Sequence, residues 1–197
     1  MTQGNIVEKL LLLPLLAGFA TQALAQDVRP LSEFAETRAA FTQESDLACA
    51  GDTEAFGRLL NAADPAQQGD PAALSALAWL VASENCAYYT GDDEQVSYFY
   101  LRAAQEGYPV ALAYGGIRMI RGLGLPQNPD AGAGLVMLAL EGGFGDAGAM
   151  LAGELITGIY MPRNLEAAKN LLQAAEATGA EGALLNNVWA AYAAVSQ

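Results

Sequence analysis

A register of 36 residues constrains this chain more than any single side chain does. Gly107, Gly143 and Gly179 are spaced by 36, as are Ala103, Ala139 and Ala175, and Ala111, Ala147 and Ala183. Gly122 and Pro126 return as Gly158 and Pro162, and Asn128 returns as Asn164. A fixed period of this size builds stacked supersecondary units that touch only their neighbours, not one closed core. Such a stack offers an extended surface, which points to binding more than to chemistry in a pocket.

The units read as helices. No alternating period-2 segment of any length appears, so strands are not expected. Apolar residues make up 53% of the 197 residues. Much of that is Ala and Gly, whose small side chains suit a thin stack of closely packed helices. Residues 26–30 read as a lead-in to a first helix opening at Ser32. Asp52-Thr53 caps a second helix over 54–62, and Pro71 opens a third. Leu74, Leu77, Trp79, Leu80 and Val81 make that third helix apolar on most sides, so it should be buried. Further helices are expected over 94–106, 109–121, 130–141, 146–157, 165–178 and 181–195. Gly107, Gly143 and Gly179 can take the left-handed conformation that ends a helix, and Pro126, Pro129 and Pro162 block continuation. Short loops between successive helices imply antiparallel hairpins.

Residues 1–25 carry the pattern of a secretory signal peptide. Lys9 precedes an apolar run from Leu10 to Ala20, and Ala23-Leu24-Ala25 is a small-x-small site with cleavage expected after Ala25. The run is shorter than the roughly 20 residues of a membrane span, so no stable membrane insertion is expected after cleavage. Periplasmic or secreted location follows. Cys49 and Cys86 are then the only pair in a chain bound for an oxidising compartment. A bridge between them would close a long loop, worth about 4 kcal/mol. The alternative is two buried thiols.

The formal charge is -13, from 9 Lys and Arg against 22 Asp and Glu. Nucleic acid requires a basic footprint that this chain lacks, so no nucleic-acid partner is expected. The sequence contains no His, which removes the commonest general base and metal ligand. Two cysteines without His cannot complete a zinc site. Asp46, Asp52, Glu54, Asp92, Asp93, Glu94 and Glu154 could in principle supply a carboxylate pair. Most of them fall near expected helix starts, where capping or the helix dipole explains them. No catalytic, cofactor or metal site is therefore expected. Two groups invite a binding reading beside a structural one. Tyr88, Tyr89, Tyr98, Phe99 and Tyr100 cluster at one helix junction, with Tyr98 the exposed candidate, or they pack. Arg102, Arg118 and Arg121 form an anion-binding patch, or they pair with the surplus carboxylates.

The segment Ala103-Ala104-Gln105-Glu106-Gly107, with Ala111, Gly116, Gly122-Leu123-Gly124-Leu125 and Pro126-Gln127 after it, closely resembles the Sel1-like repeat, a relative of the tetratricopeptide repeat. Phe99-Tyr100 stands where that pattern has Trp-Tyr. The second copy keeps Gly143, Ala147, Leu151, Gly158 and Pro162, but has Ala152 and Tyr160 where the pattern has glycine. The third keeps Leu171, Ala175, Gly179 and Ala183, and a divergent copy upstream carries Gly69, Ala73, Leu77 and Ala78. The resemblance implies an all-α solenoid of helix hairpins, with an N-terminal helical cap over 26–68 and repeats over about 69–90, 94–128, 130–164 and 165–197. The divergent ends suit caps, which should show a polar outer face.

The resemblance also implies a role. Sel1-like repeat proteins in bacteria are scaffolds and adaptors, and exported ones include regulators that hold partner proteins in the periplasm. A non-catalytic envelope adaptor for a protein or peptide is the first reading, its groove lined by helices 94–106, 130–141 and 165–178. The second is a secreted enzyme acting on cell-wall material or a β-lactam. It needs an activated nucleophile or acid/base pair, and none is evident in the sequence.

Overall fold

The computed structural model describes residues 28–64 and 69–196. The signal peptide expected over 1–25 lies outside them. Nine α-helices and no strand occur among the described residues. A 3-10 turn at Leu31–Phe34 leads into α1 (Ala35–Cys49), followed by α2 (Thr53–Ala62) and α3 (Pro71–Ala82). Three hairpins follow: α4 (Asp93–Gln105) with α5 (Pro109–Arg121), α6 (Pro129–Glu141) with α7 (Asp146–Thr157), and α8 (Leu165–Ala177) with α9 (Ala183–Val195).

Local chemistry sets these limits. Asp52 and Asp70 each accept two backbone N–H groups at the starts of α2 and α3. The register repeats atom for atom at the later starts. Asn128 accepts from Ala131 N–H at 3.1 Å and Asn164 from Ala167 N–H at 3.0 Å. Asn128 N–H donates to the Met119 carbonyl and Asn164 N–H to the Leu155 carbonyl, again 36 apart. Gly107, Gly143 and Gly179 turn the hairpins at φ of 71°, 94° and 86°, which a residue with a Cβ adopts only under strain.

The tightest packing joins one hairpin to the next: α3 on α4, α5 on α6, α7 on α8. At the α5–α6 crossing the backbones themselves meet. A Cβ on Gly116 would lie 2.6 Å from the Gly132 carbonyl oxygen, and one on Gly132 would lie 2.5 Å from that of Gly116. One period later the same places hold Ala152 and Ala168, both buried. There the close approach shifts to Gly148, whose Cβ would lie 2.8 Å from the Leu171 carbonyl oxygen.

The stack curves. The helices α3, α5, α7 and α9 touch one another in succession, whereas the α4–α6 and α6–α8 pairs touch less than any of these. The inside of a curve is the side on which successive helices come closest. The groove therefore lies along α3, α5, α7 and α9, and the expectation that 94–106, 130–141 and 165–178 line it is corrected.

The first end is tied down. Cys49 and Cys86 are joined in a disulfide. The lead-in crosses later turns, with Arg29 N–H bonded to the Gly107 carbonyl and Leu31 N–H to that of Gly142. The Phe34 ring meets the Tyr108 ring edge-on at 4.8 Å. The last end differs from the polar cap expected. The α9 helix has no charged residue and buries only Leu185. Leu184, Asn187 and Ala191 stand 36 residues after Gly148, Leu151 and Leu155, which α8 covers, yet all three are exposed.

Candidate functional site

Trp79 was expected in the core, because α3 is apolar on most sides. It is 39% exposed instead and projects into the groove. Around it lies a cavity of 570 Å³, lined by Trp79 of α3, Tyr114 and Ile117 of α5, Met150 of α7, and Leu184 and Val188 of α9. The loop after α7 adds Ile159 and Tyr160 to its lining. A second cavity of 270 Å³ shares Trp79, Tyr100 and Tyr114 and continues the groove toward Arg38 and Asp46 of α1 and Asp146 of α7. Ligand pockets typically span about 300–1,000 Å³, so the larger of the two is big enough to hold several side chains.

The loop at 158–160 departs from its earlier copy for a steric reason. In the first copy Gly124 presses on the backbone of Asp93 and Glu94, where any Cβ would collide. Ser97 reinforces that contact, donating to the Leu123 carbonyl at 2.6 Å, and Arg118 Nε donates to Ser97 at 2.6 Å. The second copy has Tyr160 for the glycine, Ala133 for the serine and Glu154 for the arginine. That loop cannot seat in the same way, and it presents Ile159, 71% exposed, and Tyr160 at the groove.

The basic groups of the larger cavity are neutralised. Arg118 pairs with the Asp93 carboxylate at 2.5 Å. Arg121 binds Glu154 through Nη2 at 2.6 Å and Nε at 2.8 Å, and its guanidinium stands 6.0 Å from the Tyr160 ring centre. Glu154 is only 3% exposed, so Arg121 supplies the charge its burial demands. Both arginines thus have carboxylate partners while lining the cavity. Tyr98 and Arg102 stand one turn apart on α4 and line neither cavity. Tyr98 is half-buried against Phe99, and Arg102 donates to the Gln105 side chain. Of the wider aromatic cluster, Phe99 and Tyr100 are core, Tyr88 stacks on Phe56 at 3.8 Å, and Tyr89 is exposed. Burial pushes the Tyr100 and Tyr114 hydroxyls above the ordinary tyrosine range, and pushes Tyr108 up to about 12.

Of the other candidate carboxylates, Asp52, Glu54 and Asp92 have structural partners, whereas Asp46 and Glu94 form no ion pair or side-chain hydrogen bond among the described residues. Asp52 and Asp92 cap helices, and Glu54 faces Arg58. Backbone N–H groups of Ala55 and Glu54 hold the Asp52 carboxyl below its usual range. Asp46 is not at a helix start, as most of this set were expected to be. It lies near the C-terminal end of α1, where the dipole disfavours a negative charge.

Trp79, Tyr114, Ile159 and Leu184 were missed from sequence. A tryptophan on an otherwise aliphatic helix and two large apolar residues in a loop that calls for glycine were the available signals. Tyr114 and Leu184 gave none. No described helix is long and apolar enough to cross a membrane. The Cys49–Cys86 bridge is consistent with an oxidising compartment.

No protein-family profile and no curated protein matches the chain. Among solved structures it is similar to a Sel1 repeat protein from Oxalobacter formigenes, with a TM-score of 0.55 and 20% identity. The match covers 71% of this chain and 55% of that one, so this chain spans about half its length. The hairpins, their register and this likeness together give the chain the helical-repeat fold of Sel1 repeat proteins.

Proposed function

We propose that the chain is a non-catalytic adaptor of the cell envelope that holds a protein or peptide segment along the α3–α5–α7–α9 groove. One observation carries this reading. Nine large apolar side chains are exposed among the described residues, and five of them line the one groove: Trp79, Tyr114, Ile159, Tyr160 and Leu184. Scattered exposed apolar residues are ordinary, but a concentration in one concavity marks an interaction site. Aromatic anchors carry much of the energy at such sites. Arg118 and Arg121 then act at the groove wall as oriented, already paired cations. The disulfide and the export pattern of residues 1–25 support placement in the envelope. The alternative, an enzyme acting on cell-wall material or a β-lactam, has no observation in its favour. The buried carboxylate of the groove, Glu154, is engaged by Arg121.

The test uses two glycines with room for a side chain. Neither Gly153, in the groove, nor Gly134, exposed on α6, has an atom within 4 Å of where its Cβ would be. Gly153→Phe fills the groove, and Gly134→Phe adds the same bulk outside it. A random peptide library panned on the three proteins should yield binders that the wild type and Gly134→Phe retain and Gly153→Phe loses. Equal retention by Gly153→Phe, at unchanged thermal stability, contradicts the proposal. So does turnover of peptidoglycan fragments by the pure protein.

A further inference from the structure

We infer that the groove selects a segment with apolar side chains followed by a cationic one, the cation seated in the smaller cavity between Asp46 and Asp146. The inference rests on the groove being the binding surface. The two cavities share Trp79, Tyr100 and Tyr114, so a segment lying in the larger one runs on into the smaller. Their electrostatics differ. In the larger cavity both arginines are matched by carboxylates, Arg118 by Asp93 and Arg121 by Glu154. In the smaller, no described residue forms an ion pair or side-chain hydrogen bond with Asp46 or Asp146.

The fold accounts for Asp146 only through the dipole of α7, and for Asp46 not at all. Asp46 sits toward the C-terminal end of α1, on the unfavourable side of its dipole. Its neighbour Glu44 is matched by Arg58 on α2, with two hydrogen bonds at 2.8 and 2.9 Å, but Asp46 is not matched. Asp146 lies in the first turn of α7, yet its side chain makes no capping bond. Arg38 lines the same cavity and is the one charge there that opposes a cation. It offsets one of the two carboxylates and leaves the cavity net negative. Trp79 and Tyr114, each 39% exposed, line the same cavity as the two carboxylates, and aromatic rings attract a cation. The whole chain, at -13, draws a basic segment toward it and repels an acidic one.

Three synthetic peptides test this: one Leu/Ala/Trp core ending in Lys-Lys, in Glu-Glu or in Gln-Gln, each titrated by fluorescence anisotropy at low and high salt. The Lys peptide should bind most tightly, and added salt should weaken it most. The double variant Asp46→Asn/Asp146→Asn should weaken the Lys peptide about fivefold to tenfold and leave the Gln peptide unchanged. Arg38→Gln should tighten the Lys peptide. Equal binding of all three peptides, lost in Gly153→Phe, keeps the groove but overturns the cation site. A Glu peptide that binds best overturns it as well. Failure of all three to bind overturns both readings.

Discussion

At its first end the stack carries a polar helix, α1, tied by a disulfide to the segment after α3 and by a lead-in strap to the turns at Gly107 and Gly142. At its last end α9 is uncharged, buries a single residue and rests mainly on α7 and α8. Its few polar ties are a Trp189 Nε1 hydrogen bond to Glu176 at 2.8 Å and an Arg163 hydrogen bond to the Val195 carbonyl at 3.4 Å. In a solenoid each helix is held by its neighbours, so a helix with few buried residues and few ties opens before one that is cross-linked. Among the described residues α1 is locked in this way, and α9 is not. The groove spans both, since Asp46 belongs to α1 and Leu184 to α9.

The largest effect should come from unlocking the first end. Cys49→Ala/Cys86→Ala is expected to lower stability by about 4 kcal/mol in urea titration. Hydrogen exchange should rise in α1–α3 and little elsewhere. A loss spread evenly over all nine helices would remove the distinction between the ends.

At the last end the corresponding change is Leu185→Ala. A buried Leu→Ala substitution costs about 3 kcal/mol where the site is coupled to the whole fold. Because α9 is held so lightly, most of that loss should appear as local opening. Amide protection over 183–195 should vanish while the main transition barely moves. A main transition lowered by the full amount would mean that both ends are equally coupled.

A smaller effect separates the ends by pH. Tyr108 packs on Phe34 at the tied end, and burial raises its hydroxyl to about 12 from an ordinary 10.0. A raised phenol stabilises the fold while it stays neutral. That contribution is whole below the unfolded value and falls away as pH climbs through about 12. It amounts to roughly 2–3 kcal/mol. Unfolding at high pH should therefore begin in α1 and the Tyr108 turn, and Tyr108→Phe should delay it. Alkaline loss that begins in α9 and ignores Tyr108→Phe would contradict this.

Much of this was legible in the sequence, because a repeat states its own register. Gly107, Gly143 and Gly179 marked the turns, through local backbone chemistry that needs no distant partner; the return of Asn128 as Asn164 was visible, and the structure adds that each caps a helix. The departures Ala152 and Tyr160 were visible as departures. Their consequence was not, since it depends on what faces them: the Gly132 carbonyl opposite Gly116, and the Asp93 backbone beneath Gly124. Which way the stack curves was also illegible. Periodicity tells which residues share a face, while curvature depends on how closely each pair of helices packs. That is why the groove was expected along the opposite set of helices and Trp79 in the core. Arg118 and Arg121 were read as an anion-binding patch or as partners of the surplus carboxylates; the structure pairs each with a carboxylate, and both line the groove.

On the proposed function, a partner lies along α3, α5, α7 and α9. Photo-crosslinking reads this directly. A library-selected peptide carrying a benzophenone is irradiated with the protein, and the adducts are located by mass spectrometry. Adducts on α3, α5 and α7, among Trp79, Tyr114 and Met150, are the result predicted. Adducts on α4, α6 or α8 would place the binding surface on the outside of the curve and contradict the account.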